Sequence, residues 1–185
     1  MSIQRFFLLA AAVTFTFGTA IAQSEGTKAE ARRQEIDKIA QRTLDDLFKA
    51  QPEAKELFGK AAGYAVFTAT KAGFIVSGGS GTGVVIDKST GKHTYMRMGM
   101  GGIGLGIGAQ RYSLVIMFEK EAHLQRFVQG GWDSSATAEA AAGKEGVAVR
   151  SSFINGVAFF QLTDKGLMAH ADITGTRFWV IDDLN

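Results

Sequence analysis

The chain has 185 residues, 46% of them hydrophobic and 21% charged, with 23 glycines, 1 proline and no cysteine. This is enough apolar sequence for one domain with a real core, and nothing in the length calls for a second. The lack of cysteine excludes a disulfide scaffold or a lipid anchor on cysteine, and 20 basic against 18 acidic residues, with no long basic run, argues against nucleic-acid binding.

Residues 1–22 read as a cleaved secretory signal. Arg5 supplies the positive start, residues 6–17 an apolar run too short to span a bilayer comfortably, and Ala20-Ile21-Ala22 a small-residue cleavage site before Gln23. Removing them takes Arg5 and no acid, which leaves a net charge of +1. The expected location is periplasmic or secreted, with peripheral attachment to a membrane surface as a further expectation.

Residues 23–185 form a single predicted domain, helical over 27–60 and sheet-rich over 61–185. Thr27-Lys28-Ala29-Glu30 fits a capping box, and Ile36, Ile39, Ala40, Leu44, Leu47 and Phe48 recur at helical spacing, so a helix is predicted over 28–50. Acids interleave with its cations, which favours a helix that covers a sheet over one that lies on a membrane. Its least balanced part is the first two turns, where Arg32 and Arg33 continue the apolar stripe. Pro52 suits the first position of a second short helix that closes near Gly59.

From Gly63 the pattern changes to strands. Short strands are predicted at 64–68 and 74–77, joined by Thr70-Lys71-Ala72-Gly73, and a glycine run from Gly78 to Gly83 leads into Val84-Val85-Ile86. A hairpin turn over 87–92 precedes a strand with Met96, Met98 and Met100 on one face and Tyr95 and Arg97 on the other; core packing is the plainer reading of the methionines. A bulge or turn is expected near 99–102, because an unbroken strand to Ala109 would be unusually long. Over 103–108 apolar residues alternate with glycines, and 114–118 is apolar throughout, as in a strand buried on both faces. A helix over 119–128 ends at Gly130, residues 133–142 are left between helix and loop, and strands are predicted at 147–154, 156–162, 167–173 and 177–181. The fold class is α+β: a glycine-rich, mainly antiparallel twisted sheet or partly closed barrel packed by two or three helices.

No catalytic constellation emerges. Two G-x-G-x-x-G/A matches, starting at Gly99 and Gly104, fall on a strand and not at the helix start that a pyrophosphate needs. His93, His123 and His170 show no metal-ligand spacing, and Ser80 is not in a G-x-S-x-G turn. No catalytic residue, metal or cofactor is assigned, and the chain reads as a non-enzyme.

Four segments in order carry a family resemblance: Ala61-Ala62-Gly63-Tyr64-Ala65-Val66-Phe67; Lys71-Ala72-Gly73-Phe74 with the glycine run to Val84; Gly104-x-Gly106-x-Gly108 followed by Arg111-Tyr112-Ser113-Leu114-Val115; and Lys165-Gly166-Leu167-Met168-Ala169. In this order they resemble the SYLF domain, a lipid-binding family of bacterial exported proteins and of eukaryotic proteins of the cortical actin and membrane-trafficking machinery. The resemblance implies phospholipid binding, with actin binding in some eukaryotic members. Thr94-Tyr95-Met96-Arg97 stands where those members commonly carry Trp-Ser-x-Pro, and an exported protein would not meet actin. The partner implied is therefore anionic phospholipid or a membrane surface, with Lys28, Arg32, Arg33, Lys71 and Phe74 as lipid-binding candidates: cations for phosphate, an apolar neighbour for the acyl boundary. The alternative is an envelope structural or protein-interaction module, a homo-oligomer formed through the glycine-rich sheet.

Overall fold

A computed structural model describes residues 16–73, 76–103, 108–130, 152–163, 166–167 and 175–185. Among these, three α-helices pack on one antiparallel sheet. Helices α1 (Thr16–Ala50) and α2 (Glu53–Lys60) precede strands β1 (Gly63–Gly73), β2 (Val76–Asp87), β3 (His93–Ile103) and β4 (Gly108–Phe118). Helix α3 (Glu121–Val128) follows, then β5 (Val157–Thr163), the two-residue β6 (Gly166–Leu167), β7 (Thr176–Val180) and a 3-10 turn, Asp182–Leu184. The strand order is β6-β5-β4-β1-β2-β3-β7. The sheet is open, with β6 and β7 at its edges, so of the two predicted forms the twisted sheet is the one adopted.

Period-two alternation gives the sheet two apolar faces, and each has its own helices. Val66, Val84, Tyr95, Val115 and Phe160 lie under α1 and α2, whose buried stripe is Ile36, Ala40, Leu44, Leu47, Ala54 and Leu57. Phe67, Val85, Met96, Met98, Leu114 and Phe118 lie under α3, which contributes Leu124 and Phe127. The Phe127 ring stands 5.1 Å from Phe118 and 4.9 Å from Phe178, so aromatic packing seals this second core. Met96 and Met98 are fully buried in it, as the core reading of the methionine row requires. Phe159 and Phe160 fall in opposite cores.

Several local expectations are corrected. Residues 70–73 are strand, because β2 and β4 both pair with β1 as far as Gly73. The run Gly78–Gly83 is likewise strand: Gly79, Gly81 and Gly83 face Lys71, Ala69 and Phe67 across the β1–β2 pair, where a Cβ at Gly81 would come 2.5 Å from the Thr68 carbonyl oxygen. Glycine is used there to let two strands approach closely. No bulge interrupts 99–102; β3 pairs residue for residue with β2 from His93 to Ile103, and β7 holds its other edge at Gly99 and Met100. Helix α1 runs from Thr16, so Thr27 lies inside it and is not its cap; no proline falls between Thr16 and Thr27, and the two glycines, Gly18 and Gly26, are tolerated. Pro52 takes the N-cap of α2, one position before that predicted. In the last part of the chain, β5 and β7 match their predicted strands to within a residue or two. Of the strand predicted at 147–154, the described residues 152–154 contribute only an isolated bridge from Ile154 to Val157. The segment 133–142, the glycine alternation at 104–107 and most of 167–173 lie outside the described residues.

Candidate functional site

Helices α1 and α2 pack on one end of their sheet face, and among the described residues nothing covers the rest. The pairing defines successive rows across β4, β1, β2, β3 and β7. The row Val115, Val66, Val84, Tyr95 is buried beneath α1. The next, Ser113, Thr68, Thr82, Arg97, Trp179, is half-buried to exposed, and hydroxyls replace the valines. Thr68 Oγ1 and Ser113 Oγ stand 3.4 Å apart across this boundary.

At that boundary an open groove of about 1080 Å³ runs between residues 26–39 of α1 and the sheet. Ala29, Ile36, Ile39 and Leu184 give it apolar walls, Thr82 part of its floor, and Lys28, Arg32 and Arg33 its cations, with Glu35 and Asp183 also at its edge. Lys28 and Arg32, four residues apart, are exposed and have no carboxylate partner among the described residues.

Arg33 is used differently. Its Nε donates to the Leu184 carbonyl at 3.0 Å, and its guanidinium pairs with Glu30 at 3.1 Å, so this half-buried side chain ties α1 to the 3-10 turn. That explains an arginine on the continuation of the apolar stripe, which sequence reasoning found out of place. Hydrogen bonds from Gln34 and Arg33 hold the Glu30 carboxyl below its ordinary pKa. Asn185 completes the tie: its Oδ1 accepts from the Tyr95 amide at 2.8 Å and its Nδ2 donates to the Tyr95 carbonyl at 2.9 Å, continuing the β3 ladder with a side chain. One helical turn further on, Asp37 accepts from the Tyr95 hydroxyl at 2.9 Å and lies 3.1 Å from His93 Nδ1. Burial, followed by this bond to Asp37, pushes the Tyr95 phenol up to about 12.

Of the predicted contact residues, Lys28, Arg32 and Arg33 are thus brought together on one groove. Lys71 is not with them. It stands opposite Gly79 and Gln110 on the face that carries Phe67 and Ala69, across the thickness of the sheet. It also sits in a strand and not in a glycine-flexed loop. Phe74 lies outside the described residues. Sequence reasoning passed over Arg97, Arg111 and Arg177, which are far apart in the chain; only strand register places them on one face. Ser80 lies in mid-strand between Thr70 and Gly99, with no histidine or carboxylate aligned to it by the register. Among the described residues no group of three or more potential ligands could hold a metal ion, and no helix is long and apolar enough to cross a membrane.

Comparison with known proteins points in one direction. Residues 99–185 match the family Ysc84, described as "Las17-binding protein actin regulator". The chain is 40% identical over 156 residues to Beta cell expansion factor A of Aeromonas veronii, a match that covers 84% of this chain and 60% of that protein. It is 33% identical over 113 residues to SH3 domain-containing YSC84-like protein 1 of Xenopus laevis, covering 59% of this chain and 32% of that one. The chain therefore spans only part of the length of either relative.

Proposed function

For a chain that belongs to the Ysc84, or SYLF, family, we infer that the function is non-enzymatic contact with anionic phospholipid at a membrane surface. The observation that carries this reading is the groove along residues 26–39 of α1, where exposed Lys28 and Arg32 rim apolar walls. A cation over an apolar cleft suits a lipid at its headgroup boundary, phosphate outward and glycerol or acyl carbons inward. Each such cation contributes about 1 kcal/mol at a charged surface and is screened beyond about 10 Å at 0.1 M salt, so the attachment is weak and salt-sensitive.

The leader-like pattern of residues 1–22 supports export, and the contact proposed is with a membrane met from the periplasmic or outer side. Neither family nor relatives carry an enzyme's name, which agrees with a binding role. The oligomer alternative needs glycine faces free for a second copy. Gly79, Gly81 and Gly83 already meet β1 within the chain, so the glycines open to a second copy would be those such as Gly78 and Gly101.

The test is co-sedimentation of the purified protein with phosphatidylglycerol and phosphatidylcholine vesicles over a salt series, with light scattering alongside. Recovery with the anionic vesicles alone, declining with salt, is the expected result. Equal recovery from both, or a salt-insensitive oligomer that ignores vesicles, would contradict it.

A further inference from the structure

Beyond the groove the same face of the sheet continues. Past the row of Thr82 comes the row Arg111, Thr70, Ser80, Gly99, Arg177, built by β4, β1, β2, β3 and β7 in turn. All but Gly99 are exposed, and Arg97 in the preceding row is exposed beside them. Arg97, Arg111 and Arg177 make no ion pair or side-chain hydrogen bond among the described residues. The seven strands contain one acid, Asp87, and it is at the far end of β2 under its own turn. Four strand spacings separate Arg111 from Arg177, about 19 Å. Between them the row itself carries short hydroxyls and a glycine, and the one bulky side chain over it is that of Trp179.

Trp179 adds a second, independent feature. At 47% exposure it is the exposed large hydrophobic residue of the described chain, and its indole lies over Gly99, where a Cβ would be 2.9 Å from Cη2. Arg97 is its cross-strand partner and Arg177 is two residues away on the same face. A tryptophan set among arginines, on strands whose one acid among the described residues is Asp87, has the composition of an interfacial anchor, with its apolar body at the ester level and the guanidinium groups on phosphate.

We propose that this uncovered sheet face, with Arg97, Arg111 and Arg177 around Trp179, is the surface that docks on the anionic bilayer, the sheet lying against the headgroups and the α1 groove at its margin. The inference rests on the phospholipid reading above and locates the contact on residues that reading does not use. Charge complementarity selects a polyanion. The breadth of the array and its single interfacial aromatic favour a plane of headgroups over a nucleic-acid strand, which would want successive stacking rings.

The test uses the purified protein with Trp132→Phe, so that Trp179 alone reports, and phosphatidylglycerol vesicles. A triple variant, R97Q, R111Q and R177Q, is compared with an equal charge removal elsewhere, K38Q, R42Q and K55Q, with thermal melts to confirm that both fold. The sheet variant loses about a hundredfold in affinity, roughly fivefold per arginine, and the control less than about threefold. Trp179 emission shifts to the blue on binding and is quenched by vesicles with brominated acyl chains. Equal loss in the two triple variants, or Trp179 emission unchanged in the bound state, overturns the inference while leaving phospholipid binding intact. A parent protein that ignores the vesicles removes both, and a preference of the three arginines for single-stranded RNA over vesicles overturns the inference in favour of nucleic acid.

Discussion

Arg33 donates its Nε to the carbonyl of Leu184 at 3.0 Å, so a helix from the start of the domain is fastened to the last turn of the described chain. This bond divides two adjacent arginines into different roles. Arg33→Ala leaves the Leu184 carbonyl without its donor and frees Glu30, and a loss of about 1 to 2 kcal/mol is expected in urea unfolding. Arg32→Ala touches no such partner and changes stability by less than about 0.5 kcal/mol. Equal losses for the two would show that the tie contributes nothing.

Asn185 has the same kind of consequence. Its carboxamide serves both the amide and the carbonyl of Tyr95, and Nδ2 also reaches the Ile181 carbonyl at 2.6 Å. Asn185→Ala leaves the Tyr95 amide without its acceptor, while the Tyr95 and Ile181 carbonyls keep the amides of Ile181 and Leu184, and we expect a loss of about 1 to 3 kcal/mol with faster amide exchange at Tyr95. Unchanged exchange there would mean that water replaces the side chain without cost.

The glycines of β2 separate by face. A Cβ at Gly83 would drive into the Val66 carbonyl and the Phe67 ring, whereas at Gly78 the nearest atom is 3.9 Å away. Gly83→Ala is expected to cost about 2 kcal/mol or more and Gly78→Ala close to nothing, as read from denaturation midpoints. Similar midpoints would refute the close approach of β1 to β2.

Asp87 sets an acid limit. Its Oδ1 accepts from Ser89 Oγ at 2.7 Å and from the amides of Ser89 and Thr90 at 2.8 and 3.3 Å, and the hydrogen bond from the Ser89 side chain is the main reason that its pKa lies below the ordinary value. The folded pKa is the lower one, so the stabilisation is complete above the unfolded value near 4 and disappears as pH falls through the folded one. Asp87→Asn should therefore be less stable than the parent at pH 7, with the difference narrowing below about pH 4. A difference that stays constant across that range would show that the carboxylate charge is irrelevant to the turn.

The elements were legible in the sequence where one physical signal dominated. Stripes at Ile36, Ala40, Leu44 and Leu47 fixed α1, alternation at Tyr95 to Met98 fixed the faces of β3, and Gly130 closed α3 with positive φ. What misled was glycine. Thr70 to Gly73 and Gly78 to Gly83 carry the composition of loops, yet pairing with a neighbouring strand on both sides holds them extended, and the glycine column lets β2 lie close against β1. The site was half legible for the same reason. Lys28, Arg32 and Arg33 are neighbours on one helix and could be grouped by spacing. Lys71 was grouped with them through a loop that is a strand, and its odd position in that strand sends it to the other face. Arg97, Arg111 and Arg177 share a surface only through the register of five strands, which no local pattern announces.

The central claim is that this domain meets anionic phospholipid through cations on the α1 side of its sheet. Its most direct measurement is the affinity of the purified protein for vesicles as phosphatidylglycerol is raised from none to most of the lipid at constant ionic strength. The account predicts negligible binding without the anionic lipid and a steep, more than proportional rise with its mole fraction, as several cations engage together. Affinity independent of that fraction would contradict it.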